Sequence, residues 1–487
     1  MRQGKPLRIM RLCMPLLTLL LWGSLVAHQT FAASELPALG DGSSAISPSQ
    51  EKELGRAWLR QLRGQVPLIS DPAISDYLED LLYRLVPNSE LLDSDLIVTV
   101  IDSPELNAFA VPGGVIGVNA GMFLYADTEQ ELAGVLSHEL AHLSQRHYAR
   151  RLEESNKQLA LNLAGLLASI VIGATAGTDA GVAAMASAQA LSIHQQLSYS
   201  RQNEQEADRL GIQTLNASGM NASAMASMFS RMMRNERFNR AVPEYFRTHP
   251  LTESRVSDMG ARSSSYPARL YEENQDFYFI QARAKTLYAT SPKDALAHFK
   301  ALAQSTRREL QLEALYGEVM ALIQANRPSE AENALEALLG AMPNAIMPNL
   351  LKLDWLMAQR RTDEALKLVQ QQLSLNPGNY PLTRAQAHIL TERMDYAGAY
   401  SLLKRLSLTH TDDAGLWYDL AEAAGQANAI VELHRARAEY FFMRADTVSA
   451  LKQLEQALTK SKDNYQQSVL IRKRMQEIEG STQAFTF

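Results

Sequence analysis

Apolar residues recur every three to four positions from residue 49 onward, which predicts helix as the first regular structure. Leu54, Trp58, Leu59 and Leu62 share one face of a helix opening at Ser49-Gln50-Glu51. Asp71-Pro72 supplies an N-cap and a first-turn proline for a second helix bearing Ile74, Tyr77, Leu78, Leu81, Leu82 and Leu85. The pattern then shortens and becomes β-branched. Leu96-Ile97-Val98-Thr99-Val100-Ile101 and Val115-Ile116-Gly117-Val118 read as two strands, separated by the turn-prone Pro112-Gly113-Gly114. Helix returns at Thr128-Glu129-Gln130-Glu131, a capping box that predicts an amphipathic helix running to about residue 154. Residues 158–178 and 180–200 carry no charge apart from histidine, with Asp179 between them. They read as a helical hairpin packed on the protein or covering a cleft, with membrane contact as the alternative. Charged helices follow at about residues 201–218 and 222–237.

A boundary falls near residues 260–267, where three serines stand in a row. Beyond it no strand pattern remains, and the chain repeats itself. Ala331, Ala365 and Ala399 are 34 residues apart, and Leu335, Val369 and Leu403 follow them by four. Pro343 and Pro377 keep the same interval. A 34-residue period of helix pairs with a small residue at the crossing is the tetratricopeptide signature. Ala295 with Phe299 reads as a degenerate earlier copy, and Ala450 with Leu454 as a later one off the period. The expected fold is therefore α+β in its first part, mainly helical with a small β-sheet, followed by an all-α solenoid. Residues 33–265 form the first part and 266–487 the second.

The N-terminus stands apart. Arg2, Lys5, Arg8 and Arg11 precede an apolar run of residues 12–26, and Thr30-Phe31-Ala32 follows with small residues at a cleavage point. That is a secretory signal peptide over residues 1–32, cut after Ala32. The sole cysteine, Cys13, lies inside it, so the exported chain has no disulfide and no thiol chemistry. The net charge of −6 over 487 residues, without a basic aromatic-rich stretch, argues against nucleic acid as partner. These features place the mature chain in the bacterial periplasm.

The candidate chemistry lies in His138-Glu139-Leu140-Ala141-His142. Residues four apart share a helix face, so both imidazoles can reach one metal ion. Glu139 sits one position round, suited to act as a general base on a water molecule. A third ligand is required. Gln145 and Tyr148 occupy the positions where the extended zincin motif has glycine and histidine, so that motif fails. His147, about 140° round the helix from His142, reads as a solvated or capping side chain. Asn203-Glu204-Gln205-Glu206-Ala207-Asp208 offers a carboxylate from a later helix. Glu204 could ligate while Asp208 fixes the tautomer of a ligand imidazole. The alternative is that the run is only a solvated charged face.

His-Glu-x-x-His followed by Glu-x-x-x-Asp, with Asn107-Ala108-Phe109-Ala110-Val111-Pro112-Gly113-Gly114 ahead of it, resembles the HtpX-like and CAAX-protease-like gluzincin metallopeptidases. The resemblance covers essentially the whole mature chain. It implies one zinc ion per chain held by His138, His142 and Glu204, with Glu139 as catalytic base. It also puts His249, in His249-Pro250, and Arg255 near the metal, as oxyanion stabiliser or as an extra ligand filling the open position. Strand Val115-Ile116-Gly117-Val118 would bind an extended substrate by strand addition. Exported relatives with tetratricopeptide repeats imply a periplasmic endopeptidase in quality control and assembly of outer-membrane β-barrel proteins. Its partners would be unfolded or stalled barrel proteins and their assembly machinery, with peripheral membrane contact left open. The competing reading is a chaperone or assembly scaffold in which proteolysis is dispensable.

Overall fold

The computed structural model describes residues 47–154, 200–238 and 244–483. The expected signal peptide and most of the uncharged stretches at residues 158–200 lie outside the described residues. Helix α1 (Pro48–Gln65) opens on a capping box between Ser47 and Gln50. Helix α2 (Pro72–Leu85) opens on Asp71, whose carboxylate accepts from the Ala73 amide at 2.9 Å. Both bury the apolar faces that the periodicity outlined.

Three strands follow: β1 (Ile97–Ile101), β2 (Ala108–Val111) and β3 (Val115–Asn119). Their order is β1-β3-β2, with β3 parallel to β1 and antiparallel to β2. Pro112-Gly113-Gly114 makes the β2–β3 connection, and both glycines hold φ near +80°, where a side chain is strained. Two expectations change here. Ala108-Phe109-Ala110-Val111 is a strand, too short and too flatly apolar to show a period of two. Val115-Ile116-Gly117-Val118 is the central strand, hydrogen-bonded on both edges and buried, so it has no backbone to offer an incoming peptide. The correction follows from register: a strand between two partners has no free edge.

After the short α3 (Met122–Tyr125), helix α4 (Glu129–Ser144) runs through the middle of the fold. It packs against α2, β2 and two later helices, α6 (Arg201–Ala217) and α7 (Ser223–Phe238). Every residue from Glu131 to His142 is buried, so α4 is enclosed on all sides and is not the amphipathic surface helix its sequence suggested. It also stops early. Arg146 takes a left-handed φ of +49°, and the chain restarts as α5 (His147–Glu154) in a new direction. Two helices complete this part: α8 (Glu244–Thr248) and α9 (Glu253–Ser263).

From Gln275 the chain is helical, with helix pairs stacked in series to Gln483. Ala331, Ala365 and Ala399 are fully buried, as a helix-crossing position requires. Residues Asn326, Arg360, Met394 and Asn428 all take left-handed φ near +60° at the turns between helices, again 34 residues apart. The backbone therefore keeps the period one unit further than the apolar signature does. In that fourth unit Leu433 replaces the small residue, and its δ-carbons lie 3.6 and 3.7 Å from where a Cβ on Gly425 would stand. The first repeat helix, α10 (Gln275–Leu287), buries Phe277, Tyr278, Phe279 and Ile280 completely. Gln281 donates to the carbonyls of Phe123 and Ala126 at 2.9 and 2.7 Å, and one apolar cluster runs from Ala73 to Ile389. Among the described residues no helix is long and apolar enough to cross a membrane.

Candidate metal centre

Helix α4 presents His138 and His142 one turn apart, and α6 crosses it closely enough to bring a carboxylate to them. Gly211 permits that approach: a Cβ there would lie 3.1 Å from the His138 amide nitrogen. Four donor atoms, one each from His138, His142, Glu204 and His249, all lie within 4.8 Å of one another, and all four residues are buried. The Nε2 atoms of His138 and His142 are 3.0 Å apart. Nδ1 of His249 is 3.4 Å from His138 Nε2 and 3.1 Å from Glu204 Oε1. Glu139 stands beside this group, its Oε1 3.5 Å from His249 Nε2.

Hydrogen bonding alone does not account for this arrangement. Nδ1 of His138 lies 3.1 Å from Asp208 Oδ1, so its proton belongs there and Nε2 keeps a lone pair. Two imidazole nitrogens and a carboxylate oxygen then point lone pairs at one centre, which is repulsive without a cation between them. Glu139 Oε1 is buried and makes no hydrogen bond among the described residues. Nitrogen and oxygen donors in this number suit a divalent ion such as zinc. The donor set fits a metal.

A model of peptidase family M48 matches residues 72–263, and a tetratricopeptide-repeat model matches residues 356–424. The chain is 32% identical over 434 residues to the beta-barrel assembly-enhancing protease of Escherichia coli (strain K12), covering 88% of each. The chain belongs to peptidase family M48. The protein of the same name from Yersinia pestis is also 32% identical, over 429 residues and 88% of each chain. The mitochondrial metalloendopeptidase OMA1 of Schizosaccharomyces pombe is 28% identical over 180 residues, 37% of this chain and half of that protein. As a member of M48 the chain is a metallopeptidase, and its repeats are an addition to the catalytic part.

The electrostatics of the M48 centre follow from burial and charge. Burial pushes the Glu139 carboxyl up, which makes it a stronger base than an exposed glutamate. Burial also opposes a charge on Glu204, but His249, His138 and His142 outweigh it and hold the carboxyl well below its usual range.

Arg255 is placed differently from the oxyanion role. Its guanidinium grips Asp208 with two bonds of 2.8 and 2.7 Å, donates to the Pro250 carbonyl at 2.7 Å and lies 2.8 Å from Glu204 Oε2. With those positions taken, it orients carboxylates and leaves little to offer a substrate. His249, by contrast, faces both the donor group and Glu139.

One side chain escaped the sequence reading and another was placed wrongly by it. Tyr245 stacks on the His249 ring at 4.7 Å between centroids and is completely buried. No motif marks it; its only signal is an aromatic residue one helical turn before His249. His147 is also completely buried, with Nδ1 2.9 Å from His142 Nδ1 and Nε2 3.0 Å from Glu206 Oε2. The expectation of a solvated His147 assumed one continuous helix. The break at Arg146 turns α5 and carries the ring back against His142.

Proposed function

We propose that this M48 metallopeptidase is a periplasmic zinc endopeptidase that cuts misfolded or stalled outer-membrane β-barrel proteins during their assembly. The convergence of His138, His142, Glu204 and His249 with Glu139 alongside carries this reading. The names of its relatives and the export-type N-terminus supply the setting.

In this mechanism His138, His142 and Glu204 hold the ion, which when bound supplies Lewis acidity at their common centre. Asp208 keeps the His138 proton on Nδ1, and Arg255 keeps Asp208 in place. Glu139 removes a proton from the attacking water and later passes it to the leaving amine. Substrate pairs in extended form along β2, which among the described residues has a strand partner on one side only and lies against α4. Backbone pairing of that kind demands an unpaired, extended segment, so unfolded strands are cut and finished barrels are spared.

His249 occupies the position a substrate carbonyl would need, and acts as a resting ligand that must leave before turnover. His249→Ala is therefore expected to cut faster than the parent chain. The test is incubation of the mature, zinc-loaded chain with one outer-membrane barrel protein, urea-unfolded or refolded, followed by gel analysis of initial rates. Cleavage of the unfolded form only, accelerated by His249→Ala, supports the proposal. No cleavage of either form contradicts it, and an unchanged rate for the variant removes the role given to His249.

A further inference from the structure

The two imidazoles on α4 are supported from behind by different chemistry. Nδ1 of His138 faces a carboxylate, Asp208, at 3.1 Å. Nδ1 of His142 faces another imidazole, that of His147, at 2.9 Å. Two ring nitrogens at that separation share one proton, so one donates and the other accepts. Nε2 of His142 points into the donor group, 3.4 Å from Glu204 Oε1, so the His142 proton sits on Nδ1. His142 is then the donor and His147 Nδ1 the acceptor. His147 must carry its own proton on Nε2, which lies 3.0 Å from Glu206 Oε2. Arg150 closes the chain, its Nη2 3.2 Å from the same oxygen. With that assignment the protons run outward from the centre to the partly exposed Glu206.

We propose that His147, fixed by Glu206, is a positioning residue that sets the tautomer and ring orientation of His142 and thereby tunes how tightly the centre holds its metal. This rests on the metal-centre reading above. Outer partners of ligand histidines typically change metal affinity by about 10- to 100-fold when removed. The left-handed turn at Arg146 is the backbone feature that makes the contact.

The test uses the full mature chain and three variants, with zinc affinity measured by competition against a chromophoric chelator and the visible spectrum recorded after cobalt loading. His147→Leu keeps an apolar volume but removes the acceptor. It should weaken zinc binding about 10- to 100-fold and alter the cobalt spectrum. His147→Asn places a carbonyl oxygen near the former Nδ1 and should recover most of the lost affinity. Glu206→Ala, at a partly exposed position, should give a smaller loss and guards against misfolding of the buried variants. Unchanged affinity in His147→Leu, or a His147→Asn variant no better than His147→Leu, overturns the proposal. A parent chain that binds no metal overturns the metal-centre reading and this inference with it, so the two failures are distinct.

Discussion

Glu139→Gln is expected to lose proteolysis of an unfolded substrate by about 10²- to 10⁴-fold while keeping its fold and its metal, the range a general base contributes. The amide retains the shape of the carboxylate but cannot take the proton. The proposed ligands His138, His142 and Glu204 are untouched, so metal content should match the parent chain. Initial rates alongside metal analysis check both halves of the expectation. The same variant separates the protease from the scaffold reading. If cells carrying it assembled outer-membrane barrels as well as cells with the parent chain, cutting would be dispensable. Retained cleavage would remove Glu139 from the chemistry altogether.

The second large effect is on stability, at Glu129. This carboxylate is fully buried in the first turn of α4 and gathers donors from two other parts of the chain. Tyr77 of α2 donates at 3.0 Å and Arg84 of α2 pairs with it. Tyr271 and Asn274, from the segment leading into the first repeat helix, donate to the same group. One side chain thus fastens the start of the metal-bearing helix to α2 and to the repeats. Glu129→Ala leaves Arg84 and Tyr77 facing an uncompensated space. Arg84 keeps 42% of its side chain exposed and can turn to water, so the loss is set by the buried donors left without an acceptor, about 1–3 kcal/mol, still a sizeable part of a domain's total stability. Denaturant titration followed by circular dichroism should show this loss, with Glu129→Gln intermediate because it still accepts hydrogen bonds. A loss below about 1 kcal/mol would mean the network is not what joins the two parts.

Much of the fold was readable in advance because it rests on local rules. Periodicity of 3.6 outlines α1 and α2, Asp71-Pro72 and Thr128 mark helix starts, and a 34-residue interval announces the repeats. The spacing of His138 to His142, and of Glu204 to Asp208, works for the same reason: four residues make one turn. What the sequence concealed depends on tertiary arrangement. Nothing in Val115-Ile116-Gly117-Val118 says which neighbours it pairs with, and β2 was too short to register as one of them. A left-handed residue such as Arg146 carries no composition signal, so the sequence read as one helix of about seven turns from Glu129 to residue 154, and His147 was turned the wrong way. Even the Thr128 cap differs in detail. Its hydroxyl accepts from the Glu131 amide, but the Glu131 carboxylate reaches back to the Asp127 amide and also pairs with Arg231. Arg255 lies beside the donor group with its guanidinium paired to Asp208 and Glu204, an aim no motif carries, because only neighbours decide which charge an arginine satisfies.

Metal content of the purified mature chain, measured by plasma mass spectrometry for the parent and for Glu204→Ala, addresses the shared centre most directly. The account predicts one zinc ion per parent chain and a largely metal-free variant that remains folded and inactive. A parent chain that cuts substrate without metal, or a Glu204→Ala chain that keeps full zinc occupancy, would contradict it.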